Sequence, residues 1–133
     1  MSRILLDTSA YSAFRRGHAG ILKEIQEADR IALPAIVLGE LYAGFVQGTR
    51  RDENRAELAE FLSSDRVMVV DVNPETADRY AVIVQSLVKA GSPIPTNDIW
   101  IAASAMQHGL RLVTTDAHYK KVPHVLLALY DLE

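Results

Sequence analysis

Short, continuous apolar runs separated by stretches of helical periodicity limit this chain to an α/β fold. Ile4-Leu5-Leu6 is closed by Asp7, and Arg30-Ile31-Ala32-Leu33 is stopped by Pro34. Val67-Met68-Val69-Val70 and Leu110 to Thr114 repeat the pattern, and Val125 to Leu129 offers a fifth run. Runs that are short and apolar without alternation read as strands buried on both faces, the condition of parallel strands. Helices fill the intervals. Thr8-Ser9 caps a short one over about Ala10 to Arg15, Gly17 ends it, and a second covers Ala19 to Ala28. Ala35 to Val46 carries Val37, Leu41 and Gly44 at helical spacing, and Arg51 to Leu62 is amphipathic. Asn73-Pro74-Glu75 starts a helix that reaches Ala90, with Gly91 as its stop. Pro93 and Pro95 hold the next loop extended, and a last helix runs from Asn97 to His108. Strands alternating with helices predict one α/β domain over residues 1–133 with a mainly parallel sheet.

The absence of cysteine excludes disulfides, a thiolate nucleophile and Cys-ligated zinc. No apolar run approaches the ~18 residues of a membrane span. The N-terminus lacks the apolar stretch of a signal peptide, so a cytoplasmic protein without membrane contact is expected. Carboxylates number 17 against 14 Lys and Arg, which argues mildly against a nucleic-acid binder. A cationic cofactor held by some of the acids would change that balance.

The acids fall at informative places. In open α/β sheets, ligands bind outside the carboxyl ends of the strands. Asp7 directly follows the first strand, and Asp116 lies two residues beyond Thr114 at the end of the fourth. Glu40 sits inside a helix on the stripe of Val37 and Gly44, where an unpaired carboxylate is costly. Asp98 opens a helix whose small residues, Ala102, Ala103 and Ala105, permit close packing. Taken singly, each has an ordinary reading: Asp7 as a helix cap, Asp98 as an acid of a first helical turn, Asp116 as a turn residue, Glu40 as the partner of an arginine. Taken together, they form a carboxylate cluster suited to a hard cation, Mg²⁺ or Mn²⁺, which can activate water against a phosphodiester. Four such carboxylates without metal should repel, and one or more should hold a proton.

Four ordered segments carry a resemblance: Ile4-Leu5-Leu6-Asp7-Thr8-Ser9, Val37-Leu38-Gly39-Glu40-Leu41, Asn97-Asp98-Ile99-Trp100-Ile101-Ala102-Ala103, and Leu112-Val113-Thr114-Thr115-Asp116-Ala117-His118-Tyr119. The chain resembles the PIN-domain ribonucleases, specifically the VapC-type toxins of toxin–antitoxin pairs. The resemblance implies a three-layer α/β/α sandwich and Mg²⁺- or Mn²⁺-dependent endoribonuclease activity. It matches Asp7, Glu40 and Asp98 to the family's acidic triad and Asp116 to its fourth acid. Ser9 and Thr114 match polar positions that support the site. It also implies a cognate VapB-type antitoxin, toxin homodimers and hetero-oligomers of the two. Tyr119 stands where Phe is common, and Trp100 is bulky for its place; neither disturbs the acid pattern.

Arg15, Arg16, Arg50, Arg51 and Arg55 are candidate RNA phosphate contacts, of which Arg15, Arg50 and Arg51 are favoured; a solvated role is open to each. Leu41, Tyr42, Phe45, Leu58, Phe61 and Leu62 offer a groove for an antitoxin segment, or ordinary core. The histidines form no HExxH-type pair; His118 reads as a phosphate contact or a surface turn residue. An aspartyl-phosphate mechanism of the haloacid-dehalogenase kind is disfavoured, because its second Asp is replaced by Ser9. A receiver domain lacks its acidic pair here. A catalytically inactive PIN-like interaction module is the remaining alternative, and retention of all four acids argues against it.

Overall fold

A computed structural model describes residues 2–132. The apolar runs form β1 (Arg3–Leu6), β2 (Arg30–Pro34), β3 (Val67–Val70), β4 (Arg111–Thr114) and β5 (Leu127–Leu129). They make one sheet in the order β3-β2-β1-β4-β5, with every pairing parallel. Parallel neighbours need long crossovers, and helices supply them. α1 (Thr8–Arg15) and α2 (Ala19–Glu27) link β1 to β2; α3 (Ala35–Gln47) and α4 (Arg51–Leu62) link β2 to β3. α5 (Pro74–Ala90) and α6 (Thr96–Gln107) link β3 to β4, and a 3-10 turn over Ala117–Lys121 leads towards β5.

Right-handed crossovers put α1 to α4 on one face and α5 with α6 on the other, because the winding reverses at β1. The result is an α/β/α sandwich. Ile4, Leu5 and Leu6 are fully buried, as strand residues of both parities must be when helices cover both faces. The small residues of α6 let it pack closely: Ile101, Ala102, Ala103, Ser104 and Ala105 are buried, and Tyr80 of α5 stacks on Trp100 with ring centroids 4.0 Å apart.

Several boundaries differ from those read in the sequence. α1 begins at Thr8, because Asp7 rather than Thr8 or Ser9 accepts the capping bond, from the Ala10 amide. β2 runs on through Pro34, which pairs in register with Val70. The sequence reading allows turn residues at Asp116 and His118 but not a 3-10 helix over Ala117–Lys121, since five residues carry too little periodicity to announce one. The signals around α5 hold in full. The Asn73 side chain accepts from the Thr76 amide and the Thr76 hydroxyl accepts from the Asn73 amide, each at 3.1 Å, while Gly91 closes the helix at φ 65°. Asn73→Ala should lower stability by about 1 kcal/mol in urea unfolding; an unchanged midpoint would mean that this capping box contributes nothing.

Strand order reverses between β1 and β4, so the loops leaving their carboxyl ends part in opposite directions. That parting opens a crevice at the switch point. Asp7 directly follows β1 at this crevice, and Thr114 ends β4.

Candidate metal centre

Asp7 is held by three donors. Its Oδ1 accepts from the Ala10 amide at 2.8 Å and the Ser9 hydroxyl at 2.7 Å; its Oδ2 accepts from the Thr114 hydroxyl at 2.5 Å. The carboxylate is 4% exposed. Burial pushes its pKa up to about 6; the Thr114, Ala10 and Ser9 hydrogen bonds pull it back, and the charge of Asp98 adds to the rise. Ser9 and Thr114 also join the two loops. Ser9 Oγ accepts from the Thr115 amide at 3.0 Å, and Thr114 Oγ1 accepts from the Asp116 amide at 2.9 Å.

Asp98 stands in the first turn of α6, half-buried. Burial raises its pKa, a hydrogen bond from His118 opposes the rise, and the charge of Asp116 reinforces it. The Tyr119 hydroxyl donates to Asp98 Oδ1 at 3.3 Å, and His118 Nδ1 lies 3.2 Å from Oδ2. Asp116 caps the 3-10 turn by accepting from the His118 amide at 2.9 Å, and its Oδ1 lies 3.1 Å from His118 Nδ1. Asp98, Asp116 and His118 thus offer donor atoms within 4.8 Å of one another. Tyr119 is fully buried beside them; burial and the charges of Asp7, Asp98 and Asp116 raise its pKa, so the phenol keeps its proton.

Glu40 is half-buried on α3. Its Oε1 accepts from the Thr8 hydroxyl, and its Oε2 accepts from Asn97 Nδ2 at 3.1 Å. Thr8 and Asn97 are the chain neighbours of Asp7 and Asp98, so these bonds tie Glu40 to the same crevice. The expected buried stripe is corrected: Val37 and Leu41 are buried, but Gly44 is exposed. The burial of α3 fades along its length, from the buried Val37 and Leu41 to Val46, which is 63% exposed.

The candidate arginines lie elsewhere. Arg15 pairs with Glu57 at 3.0 Å, Arg50 with Glu53 at 2.9 Å and Arg51 with Asp52 at 3.4 Å. Arg15, Arg16 and Arg50 line one cleft with Tyr11 and Asn54. Arg55 lies 4.2 Å from the Tyr42 ring centroid. Of the candidate groove residues, Leu41 and Leu58 are core, while Tyr42, Phe45, Phe61 and Leu62 are half-buried.

Sequence reasoning gave no role to Asn97 or Tyr119, and it did not join His118 to the acids. The available signal was proximity: Asn97 adjoins Asp98, and His118 and Tyr119 follow Asp116 within one turn. Among the described residues, no Lys or Arg forms an ion pair with Asp7, Glu40, Asp98 or Asp116. A buried carboxylate and its acidic neighbours, with no Lys or Arg to neutralise them, suit a bound divalent cation.

Comparison with known proteins agrees with the fold. The PIN domain family matches residues 4–125. Ribonuclease VapC2 of Haemophilus influenzae is 33% identical over 87% of this chain and 88% of its own. Ribonuclease VapC4 of Mycobacterium tuberculosis is 29% identical over 92% of this chain and 93% of its own. Among solved structures, VapBC2 from Rickettsia felis bound to a DNA fragment from its promoter superposes with a TM-score of 0.84 at 25% identity. That match covers 96% of this chain and 98% of that one.

Proposed function

Because the chain belongs to the PIN domain family, we propose that it is a VapC-type endoribonuclease whose carboxylates hold Mg²⁺ or Mn²⁺. The observation that carries this reading is the grouping of acids beyond the carboxyl ends of β1 and β4. Asp98 and Asp116 share a donor cluster with His118, and Asp98 is close enough for its charge to raise the pKa of Asp7. Glu40 is tied in through Thr8 and Asn97, and among the described residues no Lys or Arg pairs with the four. Asp7, Glu40, Asp98 and Asp116 would be the ligands. Bound there, the ion supplies a Lewis acid for phosphoryl oxygens and lowers the pKa of coordinated water.

The protein's own part is orientation. Ser9 and Thr114 fix both oxygens of Asp7. Thr8 and Asn97 fix both oxygens of Glu40. Tyr119 donates to Asp98 and keeps its proton while doing so. Incubating the purified protein with total RNA and Mn²⁺ should give discrete fragments, and EDTA should leave the RNA whole. Cleavage that EDTA does not affect would defeat the reading.

The similar VapBC-5 of Mycobacterium tuberculosis is a member of the VapBC family of toxin-antitoxin systems, so a cognate VapB-type antitoxin is the proposed partner. It would cover the half-buried Tyr42, Phe45, Phe61 and Leu62 and silence the site in a cytoplasmic hetero-oligomer built on a toxin homodimer. No helix of the described residues is long and apolar enough to cross a membrane. Arg15, Arg50 and Arg51 would position RNA through its phosphates. Replacing Arg50 and Arg51 by Ala should flatten the salt dependence of RNA binding by up to about 1.4 in log–log slope. An unchanged slope would remove both residues from the RNA path.

A further inference from the structure

We propose that His118 is a nitrogen ligand of the metal centre and makes the site discriminate first-row transition ions from Mg²⁺. The inference rests on the metal-centre reading above and adds a ligand to its four acids. His118 Nδ1 lies 3.1 Å from Asp116 Oδ1 and 3.2 Å from Asp98 Oδ2. Adjacent ligands of an octahedral ion bound at roughly 2.0–2.1 Å stand about 3 Å apart. The nitrogen therefore lies at ligand–ligand spacing from two carboxylate oxygens at once, and Asp98, Asp116 and His118 each offer a donor atom within 4.8 Å of the others.

The local chain holds that arrangement. Asp116 caps the turn through the His118 amide, which keeps both residues at the same end of it. The next residue, Tyr119, is fully buried and donates to Asp98, which anchors the turn against the start of α6. The His118 side chain is 46% exposed, so packing does not account for its place between two acids.

The chemical consequence follows from ligand type. Mg²⁺ takes oxygen ligands and keeps its waters, whereas imidazole nitrogen belongs to transition-metal coordination. A site with carboxylate oxygens and one imidazole should hold Mn²⁺ more tightly than Mg²⁺, and removing the imidazole should narrow the difference.

The test uses the full chain, with Mn²⁺ and Mg²⁺ as the probes. Pulsed EPR of bound Mn²⁺ reads nitrogen coordination directly, and competition by Mg²⁺ gives the ratio of affinities. Wild type should show ¹⁴N coupling. His118→Ala and His118→Gln should each lose it, with the Mn²⁺ to Mg²⁺ affinity ratio falling about tenfold. Bound Mn²⁺ without ¹⁴N coupling in wild type would overturn the proposal while leaving the carboxylate site intact, and this arm needs no variant to fold. An affinity ratio unchanged in both folded variants would overturn it as well. No Mn²⁺ binding at all would overturn both this proposal and the metal-centre reading beneath it.

Discussion

Asp7→Asn is expected to make the metal-free protein more stable than wild type, and increasingly so as pH rises. The folded chain holds the Asp7 proton with a pKa of about 6, against 3.8 for the free side chain. Between those values the folded state binds more protons than the unfolded state, so stability falls as pH rises, and the loss is complete above about pH 6. A displacement of about two pH units corresponds to roughly 3 kcal/mol at most. Asn is neutral throughout and escapes the loss. Its amide oxygen can accept from Ala10 and Ser9, but its NH₂ must face the Thr114 hydroxyl, which has to turn its own hydrogen away. That rearrangement trims the gain. Melting both proteins in EDTA near pH 4 and near pH 7.5 should show a gap that opens to about 10 °C at the higher pH. A gap independent of pH would mean that the Asp7 carboxylate carries no such cost. A chain that keeps a destabilising acid in its core has a use for it, and the use proposed for Asp7 is to hold a cation.

The second large effect is stabilisation by that cation. Mn²⁺ at about a hundred times its dissociation constant should add roughly 2.7 kcal/mol by mass action. Asp7 must give up its proton to act as a ligand, so binding releases protons and weakens below pH 6. With one proton released, apparent affinity should fall about tenfold for each pH unit below that point. Asp98, also raised by burial and by the charge of Asp116, steepens the dependence. A thermal shift with Mn²⁺ near pH 7.5 that shrinks sharply near pH 5 would bear this out. Equal shifts at both pH values would contradict a buried carboxylate ligand. Asp98→Asn should reduce the shift at either pH.

The parallel sheet was legible because burial on both faces leaves an unmistakable mark: continuous apolar runs such as Ile4 to Leu6, with no alternation, although the similar run Val67 to Val70 forms an edge strand whose Met68 and Val69 are exposed. The start of α5 was legible because Asn73, Pro74 and Gly91 each solve a local backbone problem that does not depend on the rest of the fold. Asp7 and Asp116 could be placed at one sheet edge because Asp7 directly follows β1 and Asp116 lies two residues beyond the end of β4. Glu40 was placed on the correct helix but on the wrong boundary of its buried face. How far along α3 the burial extends depends on tertiary packing, and periodicity does not record it. His118 was the harder case. Its link to Asp98 spans 20 residues and depends on a 3-10 turn that no pattern announced. The Thr8 and Asn97 bonds to Glu40 join residues 32 and 57 positions apart, equally beyond local reading.

The most direct test of the carboxylate centre is cleavage of total RNA by wild type, Asp7→Asn and Asp98→Asn side by side, at matched concentration and confirmed folding. Wild type with Mn²⁺ should cut at discrete sites, and each variant should lose well over about a hundredfold of that activity. Because Asp7→Asn is expected to be at least as stable as metal-free wild type above pH 6, its loss could not be blamed on unfolding. Folded variants that cut RNA as well as wild type would contradict the claim that these acids hold the catalytic metal.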